Sequence, residues 1–202
     1  MRKTGTWVRR ILATAVAVGM MTAVGVVTAA PAQASSGFGD GGFESPIATV
    51  GSFDRYFAPA TMGAWTVTQG SVDLSGAGFW QNADGNQSLD LDGAAHPGGV
   101  AQTFHTVPLF TYRVSYSLAG NPASGPAIKT GQVLANGNVI QNFSFDITGK
   151  NFLDMGYVRK HTYFFANSPS ATLEFRSTTG SGYGPVIDAV HVESCLLVIC
   201  FG

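Results

Sequence analysis

The stretch GFWQNADGNQSLDLDG, residues 78–93, places a tryptophan directly before a run of polar side chains. An aromatic ring beside a few polar groups is typical of small-ligand sites, and a sugar ring stacks on such a surface. Trp80 would then be the platform, and hydroxyl groups would be bound by Gln81, Asp84, Asn86 and Gln87. Alternatively, Asp84-Gly85 is a turn and Trp80 is a buried residue at the end of the fold. The turn explains these residues without a ligand, so the sequence favours this second interpretation.

Asn121 and Lys129 are further candidates for ligand binding, because they border the Gly/Pro-rich segment 119–127. Loops between strands often carry binding residues. Turn chemistry also explains most of this segment, so these two residues are secondary candidates.

No catalytic constellation is recognisable. The chain has neither a G-x-S-x-G nor an H-E-x-x-H motif. A glycosidase needs two carboxylates facing each other across a cleft, and the 12 acidic residues would provide such a pair only by chance. The sequence therefore predicts a binding or interaction domain, and a polysaccharide hydrolase is the least favoured class.

Short β-rich segments must position these residues. No amphipathic helix is evident after residue 34, whereas apolar and aromatic runs recur between Gly, Pro, Asn and Asp. In residues 111–118, TYRVSYSL, alternation predicts a strand with one buried face. Asn136-Gly137 predicts a tight hairpin turn. The pattern predicts an all-β antiparallel sandwich or jelly roll, with strands in AWTVTQ, SVDLS, QSLDL, VAQTF, FTYRVSYSL, AIKTGQVLA, NVIQNFSFD, YVRKHTYFF, ATLEFRS and PVIDAVHV.

Residues 1–34 have the pattern of a secretory signal peptide. Four basic residues precede an apolar stretch from Ile11 to about Ala30, and Ala32-Gln33-Ala34 predicts cleavage after Ala34. The apolar stretch is long enough for an uncleaved membrane anchor, which is the alternative. The pattern predicts a secreted, extracellular protein without stable membrane insertion after cleavage.

Charge makes nucleic acid an unfavourable partner. Removal of the leader takes four of the 11 basic residues and leaves seven against 12 acidic residues, a net charge of −5. No basic patch then remains for phosphate groups.

Residues 35–42 are predicted to be a flexible lead-in, residues 43–194 the sandwich, and residues 195–202 a short apolar tail. The tail contains Cys195 and Cys200, and an exported chain with two cysteines favours one disulfide. On a straight strand their Cα atoms would be about 16 Å apart, whereas a disulfide needs roughly 4.4–6.8 Å. The bridge therefore requires a turn at residues 196–199, and intermolecular pairing or free thiols are the alternatives.

Several motifs together resemble the choice-of-anchor C family, the bacterial relatives of the plant cell-wall domain-of-unknown-function 642 family. The resemblance covers about residues 39–192 and rests on GGFESP, WTVTQGSVDL, GFWQNADGNQSLDLDG, AGNP, GPAIKT, FSFDITGK, MGY and GYGPVIDAVHV. It implies a galactose-binding-like β-sandwich that is exported and binds cell-wall or extracellular polysaccharide without catalysis. The alternative is a structural domain that binds a cell-surface protein.

The resemblance also implies one structural Ca²⁺ shared by Glu44, which follows the opening Gly-x-Phe, and Asp188 in the last predicted strand. Asp188 alternates in phase with Val186, Val190 and Val192. A carboxylate on an apolar face is costly unless a cation or hydrogen-bond donors meet it. Backbone N–H groups or an arginine would meet it equally well, so both interpretations stay open.

Overall fold

The computed structural model describes residues 37–94, 96–196 and 199–201. Their regular structure is entirely β, and none of these residues forms a helix that could cross a membrane. The predicted leader, residues 1–34, lies outside the described residues. The strands are β1 Phe53–Phe57, β2 Thr61–Met62, β3 Trp65–Gln69, β4 Ser71–Ser75, β5 Ser88–Asp90, β6 Gly99–His105, β7 Thr111–Gly120, β8 Ile128–Ala135, β9 Asn138–Asp146, β10 Val158–Phe165, β11 Ser170–Ser177, β12 Pro185–Leu196 and β13 Ile199–Phe201.

These strands form two antiparallel sheets, which confirms the predicted antiparallel β-sandwich of the jelly-roll type. Sheet I has the order β1-β4-β5-β12-β7-β10, and β13 pairs with β12. Sheet II has the order β2-β3-β6-β11-β8-β9. The core lies between the two sheets. Successive side chains of a strand point to opposite faces, so every second residue of a strand points into this core. The inward residues of β7, all at most 2% exposed, are Tyr112, Val114, Tyr116 and Leu118.

All ten predicted strands are present, as β3 to β12. The predicted hairpin turn is also confirmed, since Asn136 and Gly137 have φ angles of 51° and 78°. Strands β1, β2 and β13 were not predicted. The longest of them, β1, is the edge strand of sheet I, and its exposed side is apolar and charged. Phe53, Arg55 and Phe57 alternate on that side, so β1 lacks the polar-out pattern that identified β7.

The prediction of a flexible lead-in needs correction for residues 37–42. The Phe38 ring lies 5.6 Å from that of Trp65, and Gly39 exchanges two hydrogen bonds with the Gln102 amide, at 2.8 and 2.9 Å. The Gly41 carbonyl accepts the Val190 N–H at 2.8 Å. These contacts reach β3 and β6 of sheet II and β12 of sheet I. The segment therefore belongs to the sandwich, because its aromatic ring and its backbone polar groups are satisfied there.

The predicted boundary at residue 194 also moves, since β12 continues to Leu196. Cys195 pairs with Cys200 across β12 and β13, and a disulfide joins them. The chain reverses between Leu196 and Ile199, where the sequence required a turn; residues 197–198 lie outside the described residues.

Gly41→Ala tests the docking of the first segment. A Cβ at this position would lie 1.9 Å from the Val190 carbonyl oxygen, whereas a Cβ at Gly39 would meet nothing within 4 Å. We expect Gly41→Ala to lower the free energy of unfolding in urea by about 2 kcal/mol or more, and Gly39→Ala to change it little. Equal stability of the two variants would show that residues 37–42 are not docked.

Candidate functional site

A cleft of about 320 Å³ opens on the outer face of sheet I. The inward residues of β4 and β5, such as Leu74 and Leu89, are fully buried in the core. Asp73 and Asp90 alternate with them and point to the opposite face. The aromatic residues that line the cleft are Phe53, Phe79, Trp80, Phe152 and Tyr183, and the polar ones are Arg55, Asp73, Asp90 and Asn121.

Strand register places three charged residues in one row across this face. Arg55 is opposite Asp73, and Asp73 is opposite Asp90. The Arg55 guanidinium donates two hydrogen bonds to the Asp73 carboxylate, at 2.7 and 2.8 Å. Its side chain is 36% exposed, against 10% for Asp73. Arg55 Nη1 makes no hydrogen bond to any described residue, so it is available to a ligand.

Asp90 is almost fully buried and joins three connections around the cleft. Its Oδ1 accepts the N–H groups of Asp92 at 2.9 Å and Gly184 at 3.0 Å. Its Oδ2 accepts the Asn121 Nδ2–H at 2.7 Å. Burial raises the pKa of Asp90 to about 8. The carboxyl group thus ties the β5–β6, β7–β8 and β11–β12 connections together.

Lys129 completes this buried network, with no exposed surface. Its ammonium donates to the backbone carbonyls of Ser124 and Tyr183, both at 2.7 Å. Burial lowers the pKa of Lys129, while the charges of Asp90 and Asp92 act in the opposite direction. Lys129 is therefore a structural residue that holds the Tyr183 backbone at the rim of the cleft.

Trp80 is a buried part of the aromatic wall. Its indole Nε1–H donates to Ser88 Oγ at 2.8 Å, and only 6% of the residue is exposed. Phe79 and Phe152 pack on it, with ring centroids 4.8 and 5.9 Å away. The lining rings with the most open surface are Phe53 and Tyr183, each 39% exposed, whereas Phe79 and Phe152 are half-buried.

Glu44 and Asp188 both bind the backbone of the turn at residues 83–87. Glu44 Oε1 accepts the N–H groups of Asn86 and Gln87, at 2.8 and 3.0 Å. Asp188 Oδ2 accepts those of Ala83 and Asp84, at 2.8 and 2.9 Å. The two carboxylates hold the turn from two sides, so they shape the loop that carries Trp80.

The contacts of Glu44 and Asp188 leave few oxygens for the predicted Ca²⁺. Three of the four carboxylate oxygens that would ligate the ion already accept N–H groups. Glu44 Oε1 and Asp188 Oδ2 bind the turn, and Asp188 Oδ1 accepts the Ala189 N–H. In the part of the chain that the structure describes, no three His, Cys, Asp or Glu side chains are grouped to hold a metal. These contacts favour the alternative, in which backbone donors satisfy Asp188, and calcium binding stays a prediction.

Of the predicted ligand residues, Trp80 and Asn121 line the cleft. The others do not line it. Gln81 accepts the Met155 N–H at 2.8 Å, and Gln87 is buried and accepts the Ala48 N–H from the segment that precedes β1. The remaining residues outside the lining are Asp84, Asn86 and Lys129. Asp84 and Asn86 belong to the exposed turn, whose backbone is held by Asp188 and Glu44, and this turn does not reach the cleft.

Sequence reasoning missed most of the cleft. Asp73 and Asp90 could have been found, because each alternates with core leucine or valine residues in a predicted strand. Phe53 and Arg55 could not, since β1 was not recognised as a strand. Tyr183 lies in a connection whose position only the tertiary structure decides.

Two of the buried aspartates, Asp90 and Asp188, predict how stability depends on pH. Burial raises the pKa of Asp188 to about 7 and that of Asp90 to about 8, so the folded state keeps protons that the unfolded chain releases near pH 4. We expect the free energy of unfolding to fall between pH 4 and 8, by at most about 1.4 kcal/mol per pH unit for each group. Urea titrations should show a smaller fall in Asp188→Asn, and a wild-type stability that rises over this range would contradict the prediction.

A chelator tests the carboxylate contacts. If N–H groups satisfy Glu44 and Asp188, EDTA leaves the thermal unfolding midpoint unchanged. A bound ion at one hundred times its dissociation constant would instead contribute about 2.7 kcal/mol. A midpoint that falls in EDTA and recovers with added Ca²⁺ would support the calcium site.

Comparison with known proteins places the chain in a family. No curated protein matches it. Solved structures that resemble it include a family 35 carbohydrate-binding module from Clostridium thermocellum, with 14% identity, 70% of this chain and 97% of that chain covered, and a TM-score of 0.47. The CBM35 from Paenibacillus barcinonensis is 16% identical, with 69% of this chain and 97% of that chain covered and a TM-score of 0.45. The CBM22-1 xylan-binding domain from Paenibacillus barcinonensis Xyn10C is 15% identical, with 73% of this chain and 97% of that chain covered and a TM-score of 0.44.

At these identities and TM-scores, the solved structures carry no argument about what this chain binds. The family model described as "Protein of unknown function (DUF642)" matches residues 37–193, which is nearly the whole sandwich. Membership of the choice-of-anchor C group and a bacterial origin stay predictions. The chain belongs to the DUF642 family.

Proposed function

We propose that this protein is an exported, non-catalytic domain that binds carbohydrate, specifically cell-wall or extracellular polysaccharide, in the cleft on sheet I. One observation carries the proposal. The cleft combines two partly exposed aromatic rings, Phe53 and Tyr183, with the row of polar side chains that sheet I presents on the same face.

A sugar presents both kinds of surface that this cleft matches. Its C–H groups form an apolar face that stacks on an aromatic ring, and its hydroxyl groups both donate and accept hydrogen bonds. The Arg55 Nη1–H groups would donate to hydroxyl oxygens, and the Asp73 carboxylate would accept hydroxyl protons through its remaining lone pairs. Aromatic contacts with a small number of convergent polar groups are what a small-ligand site requires.

The polar row is held in place before a ligand arrives. Asp73 is fixed by the two hydrogen bonds from Arg55, and the Tyr183 backbone is fixed by Lys129. Binding therefore orders few side chains, which reduces its entropic cost.

Binding without hydrolysis is supported by the position of Asp90. A glycosidase needs an acid and a second carboxylate at the scissile bond, and Asp73 and Asp90 are the two carboxylates of the cleft. Asp90 is only 1% exposed, and both its oxygens already accept hydrogen bonds. It is positioned to hold loops rather than to transfer a proton to a substrate.

Substitutions at the open rim of the cleft test the proposal. We expect Tyr183→Ala and Arg55→Gln each to weaken binding to a retained polysaccharide about tenfold, or about 1.4 kcal/mol. Tyr183→Ala removes a ring that the ligand contacts, and Arg55→Gln removes the Nη1 donors together with the hydrogen bonds that fix Asp73. Retention is measured by affinity electrophoresis in gels that contain cellulose derivatives, xylan, pectin or peptidoglycan fragments. The matched control is Phe57→Ala, since Phe57 is 59% exposed on the same strand as Arg55 but does not line the cleft.

Three outcomes would overturn the proposal in different ways. Unchanged retention of both cleft variants would move the sugar site elsewhere. Absence of retention on every glycan, with capture of a cell-surface protein, would favour the protein-interaction function. Release of reducing ends from a retained polysaccharide would identify a hydrolase.

A further inference from the structure

A second depression, of about 260 Å³, lies at the other end of the sandwich. The first cleft is bordered by the connections β7–β8, β9–β10 and β11–β12, to which Asn121, Phe152 and Tyr183 belong. The second depression is bordered by the β8–β9 hairpin and the β10–β11 connection. Consecutive connections lie at alternate ends of the sandwich, so these two sets of connections lie at opposite ends.

The floor and rim of this depression are aromatic. Phe164 is buried, with 7% exposed, whereas Phe165 beside it is 58% exposed. Both line the depression with Ile140 from the edge strand of sheet II. Because successive side chains of β10 point to opposite faces, Phe164 belongs to the floor and Phe165 presents its ring at the exposed rim, where a sugar ring can stack.

The polar groups around Phe165 are all amides. Asn136 Oδ1 accepts the Thr172 N–H at 2.9 Å, which fixes one wall. Asn138 Nδ2 donates to the Asn136 carbonyl at 3.3 Å, and its Oδ1 has no partner among the described residues. The Asn167 side chain is exposed and makes no hydrogen bond within the described part of the chain. Two amides are thus open to a ligand, and no charged residue lines the site.

We propose that this depression is a second carbohydrate site, which takes a neutral sugar residue stacked on Phe165 with its hydroxyl groups bound by Asn138 and Asn167. An amide offers both donors and an acceptor, as hydroxyl groups require. A uronic acid or a sulfated sugar would find no opposite charge here, unlike in the first cleft with Arg55. This inference rests on the proposed function, since it assumes that the domain binds glycans.

Two sites at opposite ends give the domain a property that neither site has alone. One molecule would hold two polysaccharide chains at once, or two distant segments of one chain. Two chains held by one rigid sandwich are cross-linked, and two segments of one chain are bound with a higher overall affinity than either site provides.

Paired variants of the purified protein separate the two sites. The second site is removed by Phe165→Ala and, separately, by Asn167→Ala; the first by Tyr183→Ala; and Phe57→Ala is the control, because Phe57 is as exposed as Phe165, at 59% against 58%. The probes are three neutral polysaccharides, hydroxyethylcellulose, arabinoxylan and galactomannan, and the anionic polygalacturonate. Affinity electrophoresis gives the dissociation constants, light scattering of protein–polysaccharide mixtures reports cross-linking, and thermal unfolding confirms that each variant is folded.

We expect wild-type protein and Phe57→Ala to increase light scattering with at least one neutral polysaccharide. Both second-site variants should abolish this increase, weaken binding to that polysaccharide about tenfold, and retain the binding that Tyr183→Ala removes. The contribution of the second site should also be insensitive to NaCl, because no charged group lines it.

The inference is overturned if Phe165→Ala and Asn167→Ala bind and cross-link like wild type, or if Tyr183→Ala alone removes all retention. The proposed function fails separately if Tyr183→Ala leaves binding unchanged while the second-site variants abolish it. Absence of wild-type retention on all four polysaccharides overturns both proposals.

Discussion

The cleft depends on one buried carboxyl group, that of Asp90. It accepts the Asn121 side-chain amide and the Gly184 N–H, so two loops that are distant in sequence meet over β5. Gly184 is required for this contact, since a Cβ there would lie 2.6 Å from Asp90 Oδ1. Removal of one partner of such a buried network leaves a polar or charged group without compensation, which costs about 3–5 kcal/mol when the group is an ion. Stability and the shape of the site are thereby coupled.

Two further carboxylates have a similar role at the neighbouring loop. Glu44, from the segment that precedes β1, and Asp188, from β12, bind the turn at residues 83–87 through its backbone N–H groups. Gly85 fits between them because it has a φ of 53° and because a Cβ would lie 2.2 Å from Glu44 Oε1. The turn in this position buries Trp80 beneath Phe79 and Phe152. Asp90, Glu44 and Asp188 therefore hold the connections around the cleft in place. Arg55, Phe53 and Tyr183 form the part that a ligand would contact.

The two proposed sites differ in the chemistry that each end of the sandwich provides. At the first cleft, charged residues of neighbouring strands are paired and the rim is aromatic. At the opposite end, a tight hairpin with a short connection leaves amides around one exposed ring. Both ends are formed by connections, which in general vary more in sequence than the strands that they join. One sandwich thus carries different surfaces at its two ends.

The sequence by itself determined the fold class, ten of the described strands and the Asn136-Gly137 turn. These features are local, since alternation and turn chemistry act between residues that are close in the chain. It did not determine the cleft. Arg55, Asp73 and Asp90 become neighbours only through strand register, and Tyr183 reaches them only because Asp90 and Lys129 hold its loop. The role of Trp80 was also undecided, because an indole beside polar residues fits a platform or a buried wall until the packing of Phe79 and Phe152 is known. Tertiary structure decided these points, since each depends on contacts between segments that are far apart in the sequence.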